Sequence, residues 1–298
     1  MCRTACLAAC AVLLFCTVSC SPSGPAPVSN PLTSASTLEL LVWHLDGYAT
    51  LDRNGDGLAE EFKSTESRAA ISALLAETSP ETLVVLDLGD DKAFTVFTND
   101  LAQAGLAYPF VYRPFHEASG NFALLSRLAC ASGIVHEVSY TVDGTPAVDR
   151  HPVGEVVFTP DTNTTIRIVI GHLQSKDFHP LGQYEMRRNE ARQLSNLIKQ
   201  RVNESPDDPL LVLACLNDDR NSAVVQQVAG SGAGLLEVAD PQGDVWTYVD
   251  AESDTYSRID YLLGNSNLIE RIEQVDILLD PRIATASRHR PIRIRLKP

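Results

Sequence analysis

Two short stretches late in the chain hold residues that could do chemistry. Ser287-Arg288-His289-Arg290-Pro291 stands just before the apolar alternation Ile292, Ile294, Leu296. Upstream, Ser257-Arg258-Ile259-Asp260-Tyr261-Leu262-Leu263 alternates around a single Asp. Alternation with a period of two marks a strand with one buried face, and a carboxylate on that face is costly without a partner. His289 is the candidate partner. In a His–Asp dyad the carboxylate fixes the imidazole tautomer and leaves the other ring nitrogen free for proton chemistry. The competing reading is an Asp260 that caps a neighbouring turn.

A second cluster is built from oxygen. Asp52, Asn54 and Asp56 occupy positions one, three and five of a loop, Gly57 follows, and Glu60 stands at position nine. Side-chain oxygens at this spacing, with a Gly for the sharp turn, suit Ca2+. Lys63 holds position twelve, where such loops usually carry an acid. Glu60 is therefore expected to close a shorter Ca2+ loop over residues 52–60. The alternative is an acidic Asn-Gly/Asp-Gly turn without metal.

These residues need elements to position them. The apolar run Leu40–Trp43 reads as a strand ending at His44. Ser64 and Thr65 are capping types ahead of a helix over 67–77. Leu83–Leu88 is a buried strand interrupted only by Asp87, and a helix follows over 92–104. Strands are expected over 122–128, 134–140, 154–158 and 165–170. The last opens into the polar loop Gly171-His172-Leu173-Gln174-Ser175-Lys176. A long helix is predicted over 183–201, with Leu194, Leu197 and Ile198 on its apolar face. Leu210–Leu216 is a further buried strand, ending at Asn217-Asp218-Asp219. Strands over 244–249, 259–263 and 291–296 complete the set, and Gly230–Gly234 reads as a loop.

The totals narrow the class. The chain has 298 residues, 44% of them hydrophobic, enough for one large globular domain or two small ones. Its net charge is −14, and affinity for phosphate backbones comes mostly from Lys and Arg, so strong nucleic-acid binding is not expected. Aromatic content of 6% also argues against stacking platforms for single strands. Five of the seven Cys fall within the first twenty residues, which is no disulfide framework. Cys130 and Cys215 lie in apolar runs and read as buried free thiols, or as a pair in an oxidising compartment.

The N-terminal segment reads as an address. Arg3, an apolar run from Leu7 to Val18, then Ser19-Cys20 form a charged start, a short apolar core and a small residue at a cut site. The run is too short for a convincing membrane-spanning helix. Thr17-Val18-Ser19-Cys20 resembles a bacterial lipoprotein signal, which implies cleavage after residue 19 and acylation of Cys20. An ordinary cleaved signal peptide is the alternative. Residues 20–36, rich in Ser, Pro and Gly, read as a flexible tether. The domain over 37–298 is then held at a membrane of the bacterial cell envelope by its lipid.

The order of segments resembles the endonuclease/exonuclease/phosphatase superfamily. The blocks that carry the likeness are LVVLDLGD, NFALLSR, IVIGHLQSK followed by RRNEARQL, LLVLACLND, SRIDYLL and SRHRPI, from about Leu38 to Lys297. The resemblance implies a four-layer α/β/β/α sandwich with two packed mixed sheets. It implies phosphoester cleavage with a divalent metal at one end of the sheets. Residues matching the family's machinery are His172, Asn217, Asp260 and His289. By that resemblance the two His contact the scissile phosphate and Asp260 orients His289.

The same match replaces the metal ligands. His44 stands for an Asn, Leu88 for a Glu, Cys215 for one Asp and Arg288 for another. Asp87 is one residue off, and strand alternation is expected to turn it to the opposite face. Magnesium and manganese require carboxylate oxygens and supply the Lewis acidity of this chemistry. His289 and Asp260 alone give only a general-base share of roughly a hundred- to ten-thousandfold. Three readings stay open. The first is a non-catalytic pocket in which His44, His172, Arg288 and His289, with few acids nearby, bind an anionic ligand or a partner. Its affinity is expected to rise as pH falls through the His range. The second is an inert scaffold. The third is metal-dependent hydrolysis, kept or rewired through His44, Cys215 or Asp90 to a metal such as zinc.

Overall fold

Leu40 and Val42 point to one side of the first strand, Leu41 and Trp43 to the other, and all four are buried. A strand buried on both faces needs a layer on each side. The computed structural model describes residues 37–49, 61–113, 122–148, 152–159 and 165–297. The candidate Ca2+ loop (Asp52, Asn54, Asp56, Glu60) and the segment with Cys20 lie outside the described residues.

In chain order, β1 (Leu38–His44), α1 (Thr65–Thr78) and β2 (Thr82–Leu86) come first. They are followed by α2 (Asp91–Gln103), β3 (Phe110–Tyr112), β4 (Phe122–Ser126) and β5 (Cys130–His136). A hairpin, β6 (Ser139–Val142) and β7 (Thr145–Val148), leads to β8 (Val153–Phe158), β9 (Ile166–His172) and the long helix α3 (Gln183–Glu204). Next stand β10 (Leu210–Cys215), α4 (Ala223–Ala229), β11 (Gly234–Leu235) and a ribbon of β12 (Tyr248–Asp250) and β13 (Thr255–Ser257). Then come β14 (Asp260–Gly264), α5 (Ser266–Ile269), β15 (Ile272–Ile277), α6 (Ile283–Ala286) and β16 (Ile292–Leu296).

Two sheets of six strands form the middle, ordered β15-β16-β1-β2-β4-β3 and β11-β14-β10-β9-β8-β5. Each contains one parallel pair, β1–β2 and β9–β10, and their other pairings are antiparallel. The parallel pairs are joined through α1 and α3, because parallel neighbours need a crossover. Side chains of both sheets interleave between them, among them Leu40, Val84, Phe122, Ile168, Leu213 and Leu262. The outer face of the first sheet packs on α1, α2 and α6 through Trp43, Leu75 and Phe97. The outer face of the second packs on α3 and α4 through Leu194, Val212 and Val225. The result is the four-layer sandwich with two mixed sheets.

The helix starts follow local chemistry. Ser64, Asp90 and Ser222 each accept a hydrogen bond from a backbone N–H three residues on, which satisfies an otherwise orphaned donor. Asp90 is thereby committed to a cap. Three boundaries differ from expectation. The strand over 83–88 stops at Leu86, because Asp87 adopts φ +51°. The strand over 134–140 divides into β5, in the second sheet, and β6, in a separate hairpin. The strand over 244–249 shrinks to the short β12.

Candidate functional site

Strand parity builds the site. On β1 the row facing the other sheet is Leu38, Leu40, Val42, and His44 comes next in that row. On β9 the row Ile166, Ile168, Ile170 ends in His172, and on β10 the row Leu211, Leu213 ends in Cys215. Asp260 opens β14 directly opposite Cys215, which in turn is in register with His172. Alternation along each strand thus delivers these four side chains to one end of the inter-sheet layer.

His289 enters from the loop before β16, held on both sides. Its backbone N–H donates to Ser287 Oγ (3.0 Å), whose hydroxyl donates to the His44 carbonyl (2.8 Å). Trp43 Nε1 donates to the His289 carbonyl (2.9 Å). The next residue, Arg290, is buried against Asp240 at 2.6 Å, its guanidinium 4.2 Å from the Trp246 ring centroid.

The predicted dyad is formed. His289 Nδ1 lies 2.7 Å from Asp260 Oδ2, and both side chains are buried. Burial pushes the Asp260 carboxyl up, but the charge and hydrogen bond of His289 outweigh it, and the group stays below the usual carboxylate range. The carboxylate accepts the Nδ1 proton, leaving Nε2 as the acceptor. The Thr247 hydroxyl oxygen accepts the Asp260 backbone N–H (3.1 Å). Asp260 Oδ1 is buried and accepts no hydrogen bond among the described residues.

His44 stacks on His289, with ring centroids 3.8 Å apart and planes at 15°. Its Nε2 lies 3.4 Å from His172 Nε2, and its Nδ1 accepts the Asp46 backbone N–H at 3.2 Å. With Nδ1 accepting, the proton of a neutral ring belongs on Nε2, which donates to His172. Burial, reinforced by His289, pushes the His44 pKa down to about 4 against the opposing pull of Asp87, Asp260 and Asp46. His44 is therefore uncharged across the His range. This corrects the expectation that the ring would gather anions as pH falls from neutrality. Cys215 is a buried free thiol, and burial followed by the Asp260 charge raises it well above the usual thiol range.

Two acids were missed or misplaced by the sequence reading. Asp87 lines the pocket and Leu88 packs into the outer core with Trp43 and Phe97. The φ of +51° at Asp87 breaks the alternation that would have sent it the other way. Asp46 also has positive φ (56°) and lines the same pocket. The two turns lie side by side, with Leu45 N–H donating to Leu86 O (2.9 Å) and Gly47 N–H to Asp87 O (3.1 Å). The Asp46-Gly47 pair, a turn signal immediately after a strand, was the clue available.

Arg288 is not seated among the His. It grips Asp46 through Nε (2.7 Å) and Nη2 (2.6 Å), donates to Tyr248 Oη (3.0 Å) and is half exposed. Burial raises the Asp46 carboxyl, but Arg288 outweighs it and holds the group below its usual range. Asn217 also has positive φ, and its Nδ2 donates to Leu173 O (2.7 Å), leaving the amide oxygen as acceptor.

Together these residues line a pocket of about 350 Å³ that carries Asp46, Asp87 and Asp177 against Lys176 and Arg288. Lys176 in turn pairs with Asp219 at 3.1 Å and Asp218 at 3.3 Å. The expectation of few acids near the His cluster is corrected: among the described residues, carboxylates outnumber cations on the pocket wall. The arrangement still does not fit a hard divalent ion, which needs oxygen donors. Asp46 is committed to Arg288, Leu88 faces away, Cys215 is a protonated sulfur, and His44 and His289 lie ring on ring. Among the described residues, the side-chain oxygens left include those of Asp87, Asn217, the exposed Asp177 and Asp260 Oδ1, whose carboxylate is shared with His289.

No family model and no curated protein matches the chain. Its likenesses are to solved structures. A beta toxin from Staphylococcus aureus with bound magnesium ions superposes with TM-score 0.63 at 13% identity, over 88% of this chain and 100% of the toxin. A mannosyl-6-phosphatase from Bacteroides thetaiotaomicron gives 0.60 at 16%, over 86% and 98%. A sphingomyelinase C from Streptomyces griseocarneus gives 0.59 at 15%, over 88% and 100%. Endonuclease/exonuclease/phosphatase family proteins from Bacteroides thetaiotaomicron and Bacteroides vulgatus match with TM-scores of 0.60 and 0.62.

Proposed function

The chain has the deoxyribonuclease-I-like fold of the endonuclease/exonuclease/phosphatase proteins, and we propose that it uses this fold for binding instead of catalysis. In this reading it is a lipoprotein of the bacterial cell envelope, tethered through an acylated Cys20 and residues 20–36. Its pocket takes a small anionic ligand, or an acidic group of a protein partner, on Arg288 and Lys176. The observation that carries the reading is the His44–His289 stack at 3.8 Å, beside an Arg288 fastened to Asp46. Nitrogen, sulfur and a guanidinium replace the oxygens that a hydrolytic ion of this fold would need.

An entering anion must compete with Asp46 for the planar fork of Arg288, whose geometry suits two-pronged binding of phosphate or carboxylate. Affinity should therefore be modest and should fall as salt rises. The test is an inorganic phosphate titration of chelator-treated protein by calorimetry. Saturable binding that Arg288→Ala removes supports the reading. Binding unchanged in Arg288→Ala, or none at all, sinks the anion assignment.

A second reading is an active divalent-metal-dependent phosphoesterase or nuclease. Asp87 favours it, being a carboxylate on the pocket wall that Arg288 does not hold. Magnesium- or manganese-dependent turnover of nucleic acid, phosphoinositide or sphingolipid, abolished by His289→Ala, would decide for it. The loop 52–60 is proposed as a Ca2+ site. Calcium should raise the melting temperature, and Asp52→Ala with Asp56→Ala should abolish the rise; no rise in the native protein reduces the loop to a plain turn.

A further inference from the structure

The substitutions that spoil the pocket for a hard ion leave a different donor set behind. His44, Cys215 and His289 each offer a ligand atom, all within 4.8 Å of one another, and all three are buried. We propose that these three side chains form a site for a thiolate-binding divalent ion of the zinc class.

The chemistry of the donors carries this. Imidazole nitrogen and thiolate sulfur are the usual ligands of Zn2+, at about 2.0–2.3 Å, and oxygen-seeking ions do not compete well for them. Ligands of a tetrahedral zinc lie about 3.4 Å apart by those bond lengths. A contraction of at most about 1.4 Å (4.8 − 3.4) therefore closes the set. Surroundings of the kind that mark metal-binding imidazoles are already in place. Asp260 holds His289 Nδ1 at 2.7 Å, which aims Nε2 and raises its basicity. Cys215 and Asp260 are fixed opposite each other by the β10–β14 register. Among the described residues, the guanidinium at the rim is that of Arg288, and it is occupied by Asp46.

His44 must move, and it must give up the hydrogen bond its Nδ1 accepts from the Asp46 N–H, either because Nδ1 binds the ion or because the ring proton shifts there to free Nε2. Parallel rings at 15° point their nitrogen lone pairs side by side, so His44 must turn off His289 to converge on an ion. Its Nε2 already lies 3.4 Å from His172 Nε2, so the turn stays within the cluster. On binding, the Cys215 thiol proton leaves to solvent and the sulfur coordinates as thiolate; the dication offsets the cost of that buried negative charge. These three ligands leave one tetrahedral position for water or a small anion.

Cobalt(II) is the probe, added to the full chain after chelator treatment. The expected result is one tight equivalent with a sulfur-to-cobalt charge-transfer band in the near ultraviolet. Cys215→Ser should lose the band, one equivalent of Zn2+ should displace the ion, and excess Ca2+ or Mg2+ should not. Asp260→Asn should keep the band and weaken zinc binding about 10- to 100-fold. No band in the native chain, or a band that persists in Cys215→Ser, overturns the proposal. X-ray absorption at the zinc edge of the native protein needs no variant: one sulfur with nitrogen neighbours is expected, and a shell without sulfur or with several sulfurs refutes the site. Phosphate binding is measured on metal-free protein, so either proposal can fail while the other stands.

Discussion

His44 shows what happens to an imidazole at the end of a buried row. The ring is 7% exposed and its pKa sits at about 4. An unfolded His takes its proton near pH 6.5. Between those values the unfolded chain binds more protons than the folded one, so stability falls as pH falls. The loss reaches about 3 kcal/mol by pH 4, at 1.36 kcal/mol per unit. Urea unfolding of chelator-treated protein at pH 7 and pH 4.5 should show this decline, and His44→Gln should flatten most of it; an equal decline in both removes the argument. The dyad was legible in the sequence because a lone Asp in an alternating strand demands a partner. Asp46 and Asp87 were not, because both sit at positive φ, where strand parity no longer tells which way a side chain points. At Asp87 the backbone itself can be tested. Asp87→Val should cost about 1–2 kcal/mol more than Asp87→Gly, since a branched side chain is disfavoured in the left-handed region; equal stabilities would mean that the turn relaxes. The partnership of Arg288 with Asp46 was hidden for the same reason.

At the scale of elements, the core strands and the three longest helices announced themselves through continuous apolar runs, helical spacing and caps. The short edge pieces did not. β3 and β11 have three and two residues, too few for any period to register. β5 and β6 read as one strand because no Gly, Pro, Asn or Asp marks the break at Glu137-Val138, where the chain leaves the second sheet. The element that matters most to the site is the turn into β16. Ser287 Oγ bonds both the His44 carbonyl and the His289 amide. Ser287→Ala leaves a buried carbonyl without its donor and should cost about 1–3 kcal/mol. It should also loosen the dyad, seen as faster hydrogen exchange at the His289 amide; unchanged exchange would assign the tie elsewhere.

For the whole molecule, the sheets are fitted to each other by shape, and the outer layers add ion pairs to their apolar packing. Gly154 on β8 lies so close to Phe122 of the opposing sheet that an added Cβ would sit 2.3 Å from the ring. Gly154→Ala should destabilise by about 1–3 kcal/mol through overpacking, measured by chemical unfolding, and a neutral result would show that the inter-sheet layer yields. On the outer face, buried Glu155 receives Arg201 from α3 at 2.9 Å, His136 at 2.7 Å and Arg167. Its removal by Glu155→Ala should cost about 1–3 kcal/mol in chemical unfolding, since the buried hydrogen bonds are lost while Arg201 keeps Glu204 and Arg167 keeps Asp208. Layer order was legible from the run of segments; the polar cluster that pins a helix layer to its sheet was not, since its members come from four elements.

β16 lies between β15 and β1, and the tie from Ser287 to His44 spans 243 residues of sequence. Closing so long a loop is slow relative to local pairing, so the imidazole cluster cannot exist in a chain that has only begun to collapse. Occupancy of the cavity is then a gauge of completed folding. A molecule that captures its ligand has already threaded that strand home, and one that has not presents a bare flank of β1 to its neighbours.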